Sequence, residues 1–177
     1  QHAMTVARLR TVMRIDHDDW LKNIPDAKTL CRRAVRSGWR AGRKSLPPNH
    51  SLAGVLPGPI EISVLLSDDD TMRGLNRDHR GKDRATNVLS FPGDDDSIVP
   101  GADVLLGDIV LAWQTIALEA GQANKHVSDH MTHLVIHGVL HLLGYDHECE
   151  EDATVMEELE VEGMAQLGLP DPYAAGK

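Results

Sequence analysis

The stretch His137-Gly-Val-Leu-His-Leu-Leu-Gly-Tyr-Asp-His147 constrains this chain more than any other. An α-helix advances about 100° per residue, so His137 and His141 project from one face, roughly one turn apart. Gly144 stands just past the apolar pair Leu142 and Leu143. A helix stops at such a place because glycine takes the left-handed conformation that turns the chain back. The reversal can return His147 to the same ion. Three neutral imidazoles suit Zn(II), one ion per chain, although Ni(II), Co(II) and Cu(II) accept the same donors. Three protein ligands leave a fourth position for water or substrate, the arrangement of a catalytic rather than a structural site. His126, His130 and His133 lie upstream on the same predicted helix, with His133 one turn back on the ligand face. For these three, packing or hydrogen bonding to the ligands is expected in place of ligation.

The helix carrying this motif is predicted over Val127 to Leu143, and Met131, Leu134, Val135, Val139, Leu142 and Leu143 leave it so little polar surface that it must be buried. Elsewhere, Thr5 to Ile15 is ambiguous between strand and helix. Asp26 can cap a helix with Leu30, Val35 and Trp39 on one face, ending near Gly42. Ser45 to Pro59 is a Pro- and Gly-rich loop. Strands are predicted at Ile60 to Leu66, at Thr86 to Phe91 with Pro92 and Gly93 closing it, and at Val104 to Leu111 with an interruption at Gly107-Asp108. Helices are predicted from Ser67 or Asp68 through Leu75 and Asn76, over Trp113 to Gln122, and over Glu151 to Leu167 with Val155, Met156, Leu159 and Met164 inward. Asp94 to Asp103 is an acidic loop. The fold class is α+β: a small mixed sheet of about four strands, about five helices, and a metal site on a buried helix.

At 177 residues, with 41% hydrophobic and 25% charged content, the chain is expected to form a single soluble domain over 1–177. Gln1-His2-Ala3, ahead of Met4, read as a cloning remnant. The sequence shows neither a membrane-length apolar run nor a signal-peptide pattern, so a cytoplasmic protein with no membrane partner is expected. Cys31 and Cys149 fit a reducing compartment. Cys149 lies close enough to His147 for ligation to be conceivable, but a spectator thiol is expected. Aromatic content of only 3% speaks against base stacking as a binding mode. The net charge of −9 is unevenly spread: seven Lys or Arg and no acid from Ala27 to Lys44, nine Asp or Glu and no Lys or Arg from Tyr145 to Glu162. A local basic face can steer a polyanion even when the total is negative, although such a run is usually just a solvated helix face.

A second segment carries chemistry. From Arg73 to Arg84 five basic residues outweigh two acids, and the segment leads straight into a strand. A loop held this way can let Arg80 clamp phosphate through its planar fork while Lys82 acts as a point charge. Taken jointly, Leu75-Asn76, Arg80-Gly81-Lys82-Asp83, Thr86-Asn87-Val88-Leu89-Ser90-Phe91-Pro92, Gly107-Asp108 and the histidine motif resemble the bacterial YbeY endoribonucleases, the ribosomal RNA maturation factors. Leu167-Gly168 with Asp171-Pro172-Tyr173 fits as well. The resemblance runs from about Ile60 to Tyr173. It departs at His79, where tyrosine is common, and at Ala85, where a proline precedes the threonine.

The resemblance implies a small α+β fold with a mixed four-stranded sheet, and zinc held by His137, His141 and His147 in a cleft. It puts the family's functional arginine on Arg80. The implied activity is cleavage of single-stranded RNA in maturing the 3′ end of 16S ribosomal RNA and in ribosome quality control, with the small ribosomal subunit and its proteins as partners. The residues leave open whether water or the ribose 2′-hydroxyl attacks. Asp146 and Glu148 flank the third ligand; hydrogen bonding to the ligands or plain solvation is their expected role, with proton transfer the alternative. Two other functions fit the same motif. Metzincin metalloproteases share its histidine spacing, but place a glutamate where Gly138 stands. A zinc-stabilised RNA- or ribosome-binding factor would need the basic face and no catalysis.

Overall fold

Alternation along Ile60–Ser67 buries Ile60, Ile62, Val64 and Leu66, which makes this segment (β2) a central strand. In a computed structural model describing residues 8–52, 59–94 and 102–174, β2 is flanked by two parallel neighbours. They are β1 (Leu9–Ile15) and β4 (Val104–Ala112); β3 (Val88–Pro92) adds to β4 antiparallel, giving the mixed order β1-β2-β4-β3. The ambiguous first segment is thus a strand. Its arginines face outward at the sheet edge, where Arg10 reaches Glu61 across the pair at 3.5 Å, while Leu9, Met13 and Ile15 pack against the core.

Among the described residues six helices accompany the sheet: α1 (Asp19–Asn23), α2 (Ala27–Lys44), α3 (Asp69–Arg80), α4 (Trp113–Gln122), α5 (Val127–Leu142) and α6 (Glu150–Gln166). The additional one is α1, too short to show a period. It exists to seat Trp20, which is fully buried and donates its indole N–H to the Ser67 carbonyl at 2.8 Å. Neighbouring residues along β4 point to opposite faces. Ile109 and Leu111 join the main core with α2, α5 and α6, while Val110 and Ala112 meet Met72 of α3 on the other side.

Three element extents and one facing differ from the periodic reading. Gly42 lies inside α2, where Leu140, Leu143 and Tyr145 crowd it, and the helix continues to Lys44. α3 runs on to Arg80 and ends at Gly81, left-handed at φ 67°. β4 is not interrupted at Gly107-Asp108: its pairing steps from Glu61↔Leu105 to Ile62↔Gly107, so a bulge at Leu106 absorbs the irregularity and the strand goes on. On α6, Val155 is 45% exposed instead of inward, and the buried positions are Met156, Leu159, Glu160, Gly163 and Met164. Residues 1–7, 53–58 and 95–101, including the supposed remnant and parts of both expected loops, lie outside the described residues.

α5 is buried as expected and lies close against the sheet because Gly138 lets it. A Cβ at Gly138 would sit 2.9 Å from Ile109 Cγ2 and 3.1 Å from its Cδ1. Ser90 Oγ fastens the same spot by donating to the Gly138 carbonyl at 3.2 Å. Ile109 is β-branched and fully buried, so it has no room to yield. Gly138→Ala is therefore expected to destabilise the fold. Overpacking costs about 1–3 kcal/mol, which exceeds the ~1 kcal/mol that alanine gains over glycine in a helix. Urea unfolding of the two proteins measures the difference.

Candidate metal centre

α5 presents His137 and His141 one turn apart, and the chain reversal returns the third histidine. Gly144 adopts φ 97°, and the Tyr145 and Gly144 amides close the helix end on the Leu140 and His141 carbonyls. The end is held from outside by His50. Its Nδ1 accepts from the Leu52 amide, which leaves Nε2–H to donate to the Leu143 carbonyl at 2.9 Å. His147 then follows, its own amide donating to Asp146 Oδ1 at 2.7 Å.

One ligand atom from each of His137, His141 and His147 lies within 4.8 Å of the others. The Nε2 atoms of His137 and His141 face each other at 3.0 Å. Tetrahedral zinc with bonds near 2.0–2.1 Å puts its ligand atoms about 3.3 Å apart, so the pair is close to chelating distance. Burial pushes the His141 pKa down, helped by His137 and His147, to about 4. The ring is therefore neutral at pH 7, the form that binds a metal. The donor set fits a divalent cation of zinc type.

A buried carboxylate supports it. Glu160, only 1% exposed on α6, accepts from His137 Nδ1 at 2.6 Å and from His133 Nε2 at 3.1 Å through one oxygen. Its other oxygen accepts from the Tyr173 hydroxyl. With the proton held on Nδ1, His137 Nε2 keeps its lone pair for an ion. Burial alone would raise the Glu160 pKa, but donation from His133, His137 and Tyr173 outweighs it and holds the carboxyl down at about 2. Tyr173 is pushed well up, by burial and then by Glu160.

The three histidines open into a cleft of about 510 Å³ whose wall also includes Arg80, Glu157, Glu160 and Tyr173. Arg80 gets there as the last residue of α3, not from a loop. The segment beyond is tied down: Asn76 Nδ2 donates to the Arg84 carbonyl at 2.8 Å, and Asp83 takes two hydrogen bonds from Arg73, at 2.7 and 3.1 Å. Lys82, one residue past the helix cap, is exposed and is not among the residues lining the cleft. Asp146 and Glu148 are exposed beside His147. Cys149 caps α6, its sulfur accepting from the Asp152 amide at 3.4 Å, and Cys31 is buried against Met131. His133 serves Glu160, His130 meets Glu119 at 3.2 Å, and His126 precedes α5.

Sequence reasoning missed Glu160, Glu157 and the use of Tyr173 in the site. Glu160 was hidden in an acidic run, and its signal was positional: it falls beside Leu159 and one turn from Met156 and Met164, on the apolar side of α6.

The fold and site define a class: small α+β proteins with a three-histidine, metal-competent cleft faced by an arginine. Residues 48–168 match the family described as Endoribonuclease YbeY. The chain is 48% identical over 157 residues to the endoribonuclease YbeY of Paramagnetospirillum magneticum, covering 87% of this chain and 89% of that protein. It is 46% identical over 159 residues to that of Rhodospirillum rubrum, covering 88% of this chain and 76% of the other. The chain belongs to the YbeY family.

The metzincin spacing fails at the position that matters for a protease. The glutamate those enzymes carry after the first histidine is Gly138 here, and Ile109 occupies the space its side chain would need.

The Glu160 geometry yields a prediction. Glu160→Gln keeps the volume but weakens the acceptor that fixes the His137 tautomer. Zinc affinity is expected to fall about 10–100-fold, as competition with a coloured chelator would measure, while the protein stays folded.

Proposed function

We propose that this protein is a zinc-dependent, single-strand-specific endoribonuclease that matures the 3′ end of 16S ribosomal RNA and takes part in ribosome quality control. The observation that carries the reading is the sharing of one cleft by three convergent imidazoles and the Arg80 guanidinium. Membership of the YbeY family, whose relatives carry the name endoribonuclease, supplies the substrate class. Zn(II), held by His137, His141 and His147, would supply Lewis-acid polarisation of a phosphoryl oxygen and acidify a bound water.

The chain's own residues do the rest. Arg80 binds the scissile phosphate by its planar fork and offsets the charge that builds on its oxygens. Lys82, outside the cleft wall, adds a point charge for a neighbouring phosphate. Glu160 keeps the proton at His137 Nδ1 and so fixes that ring's orientation. A volume near 510 Å³ falls in the range of small-ligand pockets, room for one or two nucleotides and not for a paired helix, which favours single strands. The working partners are the small ribosomal subunit and its proteins, in the cytoplasm. Among the described residues no helix is long and apolar enough to cross a membrane.

Two variants test the reading. Arg80→Ala is expected to retain one zinc per chain by metal analysis and an unchanged melting temperature, yet to lose cleavage of a single-stranded RNA at least 100-fold, in line with loss of one transition-state charge contact. His141→Ala is expected to lose both metal and cleavage. Full RNA cleavage by Arg80→Ala would refute the role given to that side chain.

A further inference from the structure

α2 lies wholly ahead of residues 48–168, the part that matches the family model, and its charge is unused by the cleft. Its seven basic residues, Lys28, Arg32, Arg33, Arg36, Arg40, Arg43 and Lys44, have no acid among them. At 100° per residue all seven fall within an arc of about 160° on the helix. The opposite arc is the one that packs: Ala27, Cys31, Ala34, Val35, Gly38, Ala41 and Gly42 are buried. The basic arc faces solvent, with Lys28, Arg32, Arg33, Arg36, Arg40 and Lys44 all exposed. Lys44 is paired with Glu162 at 3.2 Å, and Arg43 lies over the Trp39 ring at 5.7 Å. Among the described residues the other five make no ion pair.

Such a face keeps like charges side by side along Lys28, Arg32, Arg36, Arg40 and Lys44, each four from the next. Like-charged i,i+4 pairs cost a helix stability. A polyanion laid along them removes that repulsion and releases counterions. From Lys28 to Lys44 the row spans about 24 Å, long enough to run beside several successive phosphates of one strand. Stacking on unpaired bases has no platform here, because the aromatic residue of α2, Trp39, is 5% exposed. The face therefore suits phosphates held at regular spacing by a paired helix. On its packed side, the end of α2 is tied to the turn that leads to His147, where Tyr145 Oη donates to the Gly42 carbonyl at 2.6 Å.

We propose that the basic face of α2 docks the phosphate backbone of a double-helical RNA segment flanking the strand that enters the cleft. This rests on the ribonuclease reading, and extends it by giving the paired part of the substrate its own surface. Binding of a short blunt RNA duplex by the full chain, followed by fluorescence anisotropy from about 50 to 200 mM salt, tests it. The variant Arg32→Gln/Arg36→Gln/Arg40→Gln, with an unchanged melting temperature, is expected to bind at least tenfold more weakly. Its slope of log affinity against log salt should flatten by about 2.7, three phosphate contacts at ~0.9 each. The lysine counterpart at the same three positions is expected to keep most of the affinity, since a phosphate row reads charge. Equal affinity and slope for the parent and the glutamine variant overturn the proposal. So does a parent that binds no duplex, the result expected if an acidic protein takes this face. A chain that binds duplex through α2 yet cleaves no RNA sinks the nuclease reading and leaves the docking surface standing.

Discussion

One buried carboxylate holds three parts of this molecule in register. Glu160 comes from α6, His133 and His137 from α5, and Tyr173 from the segment after α6. Taking a carboxylate out of water costs several kcal/mol unless donors replace the lost hydration, and here three do. The same bonds that make burial tolerable set the tautomer of His137. Stability and metal competence therefore rest on one set of contacts, and a change that loosens the helix packing also misdirects a ligand.

How far the sequence discloses this depends on whether a feature is local. The histidine constellation is local: helical spacing, a stop at Gly144 and a reversal lie within eleven residues, and the structure brings the three rings together as that spacing requires. The central strands are local too, since β2 alternates visibly. What escapes is non-local. β1 is a strand only because β2 pairs with it from fifty residues away. The run of β4 through Gly107 depends on a bulge that appears only once its partner is known. Glu160 looks like the other acids of its run until α5 is laid against α6. Val155 errs the other way, a hydrophobic residue that the helix turns to solvent.

Arg80 and Lys82 show how two residues with the same charge part company. The left-handed Gly81 ends α3 between them, so Arg80 is fixed by a helix and Lys82 belongs to the turn. Arg80 also sits where the partial negative charge of the helix C-terminus favours a cation. Anchoring of the following segment through Asn76, and through the pair of Arg73 and Asp83, keeps that helix end in place. The two residues are separated by backbone geometry and not by chemistry, a distinction that composition cannot register.

Electrostatics gives the cleft and the outer helix different tasks. Of the residues lining the cleft, Arg80 is the one with a permanent positive charge, against Glu157 and Glu160, in a chain of net charge −9. If the cleft takes RNA as proposed, a cation held by the three histidines would add positive charge there and favour entry of a phosphate. Such a site would be selective but weak as an anchor, because one guanidinium and one ion would contact few phosphates. The chain's concentrated positive charge lies instead on α2, where it can gather long-range attraction without filling the cleft with competing cations. On the proposed function, separation of this kind would let the strand to be cut be chosen by the size and metal content of the cleft, while the remainder of a large polyanion would be held by a surface that has no part in the chemistry.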